Sequence, residues 1–117
     1  MRTSKKRVIY RQGDVWLYRL TEKEFSDRTR IAIPRDRKQG IVLAEGEVTG
    51  HHHKIRKGGR LYQDGRQNSV RLLSASGPVS LTHEEHETIE LPAGKYEVRI
   101  QREYEPQAVS RQSYVRD

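Results

Sequence analysis

The five histidines of the 117-residue chain fall in two short groups. His51, His52 and His53 are consecutive, and His83 and His86 form the second group later in the chain. Imidazole nitrogens bind zinc, copper, nickel and iron, and they exchange protons near neutral pH. The two groups therefore predict a metal site, provided that the fold brings them together.

The first group is typical of a β-strand that runs to Ile55. Side chains alternate between the two faces of a strand. His51 and His53 are therefore expected to share one face with Ile55, whereas His52 and Lys54 point to the opposite face. This alternation selects His51 and His53 as ligands of one ion and sets His52 aside.

The second group has the pattern of a single helical turn. Thr82 followed three residues later by Glu85 is typical of a capping box, in which each side chain bonds the backbone N–H of the other residue. Such a box predicts one α-helical or 3₁₀ turn. His83 and His86 would then lie on the same side of that turn and act as a pair.

Together the two groups predict one divalent metal site. Four imidazoles without a carboxylate favour a closed, tetrahedral zinc site of the structural kind. The chain contains no cysteine, so thiolate ligands are excluded. If one imidazole does not bind, water takes its position and becomes activatable. The predicted ligands are His51, His53, His83 and His86, and the carboxylates available as a base are those of Glu45, Glu47, Glu84 and Glu85.

An alternative interpretation assigns the histidines no metal. The three consecutive residues are then a polar turn, and the later pair bonds the carboxylates of Glu84, Glu85 or Glu87. The two interpretations differ in whether the rings of the two groups meet.

The chain is also basic. Its 23 lysines and arginines stand against 16 aspartates and glutamates, which gives a formal net charge of +7. This charge is consistent either with a solvated basic surface or with an anionic partner such as DNA or RNA, whose phosphates attract basic side chains. Basic residues are frequent over 21–40, and arginine and tyrosine interleave near the end of the chain. The predicted nucleic-acid contacts are Arg28, Arg30, Arg35, Arg37, Lys38, Arg99, Arg102 and Tyr104.

The length and composition predict one domain with a thin core. Isoleucine, leucine, valine and phenylalanine make up about a fifth of the residues, close to the composition at which chains stop folding unaided. A metal, an oligomer interface or a large partner would add stability, because anything that binds only the folded state favours it.

Short strand-like segments separated by glycine turns predict an all-β fold. We expect a small antiparallel barrel or a sandwich with, at most, a short C-terminal helix. Residues 1–7 are expected to form a basic N-terminal arm and residues 8–105 a single β domain. Residues 106–117 are expected to form a C-terminal tail or that short helix.

Three local predictions bear on the fold. Val15–Leu20 is expected to be a central strand, and residues 21–40 a loop or an exposed hairpin. Ile89–Leu91 and residues 95–100 are expected to pair as a hairpin across a proline-glycine turn. In that hairpin Glu97 would face solvent.

Two resemblances follow from these motifs. Gly50-His51-His52-His53 resembles the first half of a cupin metal motif, and the proline-glycine turn at 91–94 is similar to the second half. The cupin glutamate is replaced here, since residues 54–57 read Lys-Ile-Arg-Lys. The combination of GEVTGHHH with THEEH is similar to a family of small uncharacterised bacterial and phage proteins, over residues 41–106. That resemblance implies a phage or mobile element as the setting and assigns no activity.

We interpret the chain as a metal-stabilised β domain that acts as a non-catalytic binding or assembly module, with a nucleic acid or a protein assembly as its partner. The alternatives are a nucleic-acid-binding protein, a cupin-like metal-dependent enzyme and a structural virion component. The chain has no apolar run long enough to cross a membrane. We expect it in the cytoplasm, or in the virion if a phage encodes it.

Overall fold

A computed structural model of the protein describes residues 7–46, 50–101 and 113–116, the last of these by their backbone alone. Within these residues the chain forms short strands and one short helix, α1, at Glu22–Ser26. The strands are β1 (Arg7–Gln12), β2 (Val15–Leu20), β3 (Arg30–Ile33), β4 (Ile41–Glu45), β5 (His52–Ile55), β6 (Arg60–Asp64), β7 (Arg71–Ala75), β8 (Val79–Leu81), β9 (Ile89–Leu91), β10 (Gly94–Ile100) and β11 (Ser113–Arg116).

The strands form two layers. One is a seven-stranded sheet in the order β11-β1-β2-β10-β7-β6-β3, antiparallel except for the pair of β1 with β11. The other consists of the hairpins β4-β5 and β8-β9. Lys54 and Thr82 join these hairpins by two backbone hydrogen bonds of 3.0 and 2.8 Å. The prediction of an all-β fold is confirmed, and the arrangement is a sandwich, with no closed barrel among the described strands.

The core lies between the two layers. Alternate residues of β2 point inward, so Val15 and Leu17 are fully buried. Tyr96 and Val98 of β10 meet them from the neighbouring strand, and all four belong to one apolar cluster that also takes residues from β4, β5, β8 and β9. Val15–Leu20 is a central strand, as predicted, because β1 and β10 pair with its two edges.

The opposite face of the seven-stranded sheet is covered by α1. The hydroxyl of Thr21 accepts the N–H of Glu24 at 3.0 Å, and the N–H of Thr21 donates to the Glu24 carboxylate at 2.8 Å. This capping box starts the helix and buries Phe25 in a second apolar cluster. The prediction of a loop or exposed hairpin over 21–40 is wrong, since the segment contains α1 and also β3, which pairs with β6.

The predicted hairpin of Ile89–Leu91 with residues 95–100 is also wrong. The first of these strands, β9, pairs with β8 in the smaller layer, whereas β10 pairs with β2 and β7 in the larger one. Pro92 and Ala93 therefore cross between layers instead of closing a hairpin. The apolar residues of both strands face the same core, but they approach it from opposite layers. Strand alternation alone does not show whether two such strands pair or face each other.

The two ends of the chain depart from the expected arm and tail. Residues 1–6 and 102–112 lie outside the described residues, but Arg7 already belongs to β1. Ser113–Arg116, expected in a tail or short helix, forms β11 and pairs with β1 in parallel. No helix within the described residues is long and apolar enough to cross a membrane.

Candidate metal centre

The four predicted ligand rings meet at the junction of the two hairpins. The ring centroid of His83 lies 5.5 Å from that of His51, 4.3 Å from that of His53 and 4.7 Å from that of His86. The rings of His53 and His86 are 6.0 Å apart and nearly parallel. The fold therefore brings the two histidine groups together, with His83 in the middle.

Backbone contacts fix the two segments against each other. Lys54 in β5 and Thr82, directly after β8, form the bridge between the hairpins. The N–H of His52 donates to the carboxylate of Glu84 at 2.9 Å. These hydrogen bonds hold residues 82–84 beside β5, with the histidine rings of the two segments facing each other.

His53 is held by Gln12, a residue that the sequence did not mark as part of the site. The side-chain amide nitrogen of Gln12 donates to the carbonyls of Leu81 and Glu87, both at 2.9 Å. Its oxygen must then face His53, whose Nδ1 lies 2.8 Å away. Because the Gln12 oxygen only accepts, Nδ1 carries the proton and the lone pair of the ring is on Nε2. An outer partner of this kind fixes the tautomer of a metal-binding histidine.

The Nε2 atom of His53 faces a carboxylate. It lies 3.3 Å from Oδ1 of Asp14, and the His53 side chain is 1% exposed. Burial, reinforced by the neighbouring His83, lowers the pKa of His53 to about 4. At neutral pH the ring is therefore uncharged, and two atoms that both accept hydrogen bonds face each other in a buried place.

His83 accepts hydrogen bonds from the backbone of its own segment. Its Nδ1 accepts the backbone N–H of Glu85 at 3.0 Å and that of His86 at 3.4 Å. Thr82 does not cap a turn, because its hydroxyl donates to the carbonyl of Lys54. The predicted capping box is wrong: residues 84–86 form bends, and the imidazole of His83 accepts hydrogen bonds from the last two of them. Burial and the neighbouring His86 lower the pKa of His83, which favours the neutral ring.

His51, the residue before β5, completes the cluster. Its Nδ1 is buried and has no hydrogen-bond partner among the described residues. Donor atoms of His51, His83 and Glu84 all lie within 4.8 Å of one another, close enough for one ion. His52 points away, with its Nε2 3.1 Å from a carboxylate oxygen of Glu45.

Two glycines allow the rings to approach the backbone. A Cβ atom at Gly13 would lie 2.6 Å from Nε2 of His86, and one at Gly46 would lie 3.0 Å from Nε2 of His83. Gly13 also has φ +59°, a conformation that favours glycine. A side chain at either position would push the rings out of the cluster.

Two of the predicted nucleic-acid contacts, Arg28 and Arg99, bond carboxylates of the protein. Arg28 donates to the carboxylates of Asp64 and Glu97, at 3.0 and 2.5 Å. Arg99 donates to Glu97 as well. Glu97, expected to face solvent, is therefore buried within an ion network.

The remaining basic positions are divided between internal contacts and open surface. Arg30 donates to the carbonyl of Phe25 at 2.6 Å, and Arg35 donates to three carbonyls of residues 56–59. Arg37 and Lys38 are exposed in the turn before β4. The other two predicted contacts, Arg102 and Tyr104, lie outside the described residues.

Fold and cluster together define a small two-layer β domain with a histidine cluster at the junction of its hairpins. Residues 11–101 match the family described as "Domain of unknown function (DUF8820)", and the chain belongs to this family. The expectation of an uncharacterised family is confirmed. The matched region contains all five histidines together with Gln12 and Asp14. No curated protein and no solved structure matches the chain.

Proposed function

We propose that the protein is a metal-binding β domain in which a zinc ion joins β5 to the segment 83–86. In this proposal His51 and His53 bind from the first side, and His83 and His86 from the second. The domain then serves as a non-catalytic binding or assembly module. The observation that carries the proposal is the convergence of four imidazoles from two segments that the backbone bridge of Lys54 with Thr82 holds together.

The geometry around His53 supports a cation at this place. Bonds of 2.0–2.2 Å from zinc to nitrogen and oxygen, at tetrahedral angles, separate two ligand atoms by roughly 3.4 Å. Nε2 of His53 and Oδ1 of Asp14 are 3.3 Å apart. Asp14 is therefore an additional ligand candidate, and a cation between the two atoms would relieve the contact between two acceptors.

Zinc binding through His83 would require a local rearrangement. Its Nδ1 lone pair is used by the N–H groups of Glu85 and His86, so the neutral ring carries its proton on Nε2. Binding through Nδ1 displaces both N–H groups, and binding through Nε2 moves the proton to Nδ1. In either case the amides of residues 85 and 86 lose their acceptor, which amide NMR shifts would record.

Elemental analysis of untagged protein tests the proposal. We expect about one zinc per chain in the wild type and in His52→Ala, whose ring points away from the cluster. We expect the double variant His51→Ala/His83→Ala to lose the ion while keeping the circular dichroism of a β protein. Less than about half an equivalent of metal in the wild type, or unchanged metal in the double variant, would refute the site.

The setting in a phage or mobile element remains a prediction from the family resemblance. It has a direct test in the genes beside the coding sequence. Genes for particle or packaging proteins would support an assembly module, whereas neighbouring metabolic enzymes would favour a cupin-like activity instead.

A further inference from the structure

A second place in the fold has the features of a ligand site, away from the histidine rings. A cleft of about 600 Å³ opens beside β4, between the two layers. Its apolar wall is formed by Ile33, Val42, Leu43, Ala44, Val98 and Ile100. Cavities of this size and lining are typical of small-molecule sites.

Arg71 supplies the charge in this cleft. Its Nη1 donates to the carbonyls of Val42 and Leu43, at 3.0 and 3.1 Å, which fixes the plane of the guanidinium. Within residues 7–46 and 50–101, no carboxylate pairs with Arg71, and its Nε and Nη2 have no partner. Those two N–H groups form the side-on fork that binds a carboxylate or phosphate through two parallel hydrogen bonds.

The acidic residues in the same wall are bonded elsewhere. The Oδ1 atom of Asp36 accepts the backbone N–H groups of Lys38 and Gln39, at 2.7 and 2.8 Å. The carboxylate of Glu45 lies 3.1 Å from Nε2 of His52. Arg71 is thus a half-buried cation beside apolar side chains, and its Nε and Nη2 are available to a ligand in the cleft.

We propose that this cleft binds a small amphipathic anion. The carboxylate or phosphate of the ligand bonds Nε and Nη2 of Arg71, and its apolar body packs along Val98 and Ile100. The site is independent of the zinc proposal, because none of the four histidines lines the cleft. Carboxylate and phosphate ligands share this chemistry, and probes of both kinds distinguish them.

Titrations followed by amide NMR test the proposal on the full-length protein as purified. The probes are decanoate, decyl phosphate and the uncharged decanol. We expect one of the two anions to bind saturably with a Kd below about 1 mM, a modest affinity for a ligand of this size, and to shift the amides of Val42, Ala44 and Val98. Decanol should bind at least about tenfold more weakly. Equal binding of decanol, or no saturable binding of either anion, would overturn the proposal.

A matched pair of variants separates the cleft from general charge effects. Ile100 lines the cleft and is 42% exposed, whereas Ile31 is 58% exposed and lies outside it. Ile100→Glu and Ile31→Glu each lower the net charge by one, and neither change disturbs the core. We expect Ile100→Glu to weaken anion binding at least about tenfold by repulsion and Ile31→Glu to leave it unchanged. Equal weakening by both variants would show non-specific attraction to a basic protein and would overturn the site.

Arg71→Lys tests the fork itself. Lysine keeps the charge but loses the two parallel donors. We expect this variant to bind the anion more weakly. The bound anion should still shift the amide of Val98 as it does in the wild type. Wild-type affinity in this variant would contradict the assignment of Arg71.

Discussion

Two polar clusters are buried in this sandwich, and their hydrogen bonding differs. Around Arg28 the donors and acceptors match: its two Nη atoms bond Asp64 and Glu97, and Asp64 also accepts the N–H groups of Arg66 and Gln67. In the histidine cluster they do not match. Nδ1 of His51 is buried with no hydrogen-bond partner in the described part of the chain, and Nε2 of His53 faces a carboxylate.

Complete hydrogen bonding distinguishes a structural polar cluster from a candidate ligand site. Buried polar groups in folded proteins are nearly always paired. The Arg28 cluster meets that rule with protein groups alone, so its role is to hold the fold. The histidine cluster does not meet it with the described protein groups alone, and this is why we propose a cation there.

We expect the largest effect on the free energy of unfolding from a substitution in the Arg28 cluster. Arg28→Ala leaves the carboxylates of Asp64 and Glu97, whose side chains are 2% and 11% exposed, without their shared cation. Loss of one partner from a buried ion pair typically costs about 3 kcal/mol or more in the free energy of unfolding. Urea unfolding would measure this loss, with Arg37→Ala at an exposed position as the control. A change within about 0.5 kcal/mol of the wild type would contradict the structural role.

In the histidine cluster we expect a substitution to lower the affinity for zinc. Gln12→Ala removes the acceptor that fixes the tautomer of His53, and loss of such an outer partner typically weakens metal binding about 10- to 100-fold. Competition with a chromophoric chelator would measure the affinity. Gln63→Ala is the matched control, because the Gln63 amide also donates to backbone carbonyls, here those of Gln67 and Val70, and β6 lies in the seven-stranded sheet rather than beside β5. Equal zinc affinity in the two variants would show that Gln12 does not contribute to zinc binding.

Replacement of either of two acidic residues by its amide tests which carboxylate binds the ion. Asp14 is 14% exposed and faces His53, whereas Glu84 is exposed and already accepts the N–H of His52. We expect Asp14→Asn to weaken zinc binding about tenfold and Glu84→Gln to weaken it less than about threefold. The reverse order would place the ion at His51, His83 and Glu84 rather than beside Asp14.

The smallest expected effect is a pH dependence of the unfolding free energy that arises from the Arg28 cluster. Burial alone would raise the pKa of Asp64 and Glu97, but the N–H groups of Arg66 and Gln67 at Asp64, Arg28 at both carboxylates, and Arg99 at Glu97 lower it overall. A lowered folded-state pKa gives stability that is present above the unfolded-state pKa and is lost as the pH falls through the folded-state pKa. We therefore expect a loss of unfolding free energy on acidification that is smaller in Asp64→Asn. An equal loss in the variant would argue against this cluster as its source.

The sequence predicted the strands better than their partners. Val15–Leu20 was predicted at its observed bounds, because a short apolar run that follows a glycine turn is a local property. The pairing of β9 with β8, rather than with β10, depends on which layer each strand joins, and no local pattern encodes that. Gln12 was missed for the same reason, since it lies 41 residues before its partner His53.

The two Thr-x-x-Glu segments show the limit of local motifs. Thr21 and Glu24 form a capping box and start a helix, and Phe25 gives that helix an apolar side chain to bury. Thr82 and Glu85 have the same spacing, but Thr82 pairs with Lys54 across the hairpins. Tertiary pairing overrides the motif at the second site, so the convergence of the histidines was predictable while the geometry of their turn was not.

The most direct test of zinc as the link between the hairpins is its effect on stability. A ligand at 100 times its Kd stabilises the folded state by about 2.7 kcal/mol if it binds only that state. We expect the unfolding free energy of the wild type to rise by about this amount between chelator and saturating zinc, and that of His51→Ala/His83→Ala to stay unchanged. A wild type equally stable with chelator and with zinc would contradict the proposal that an ion joins β5 to residues 83–86.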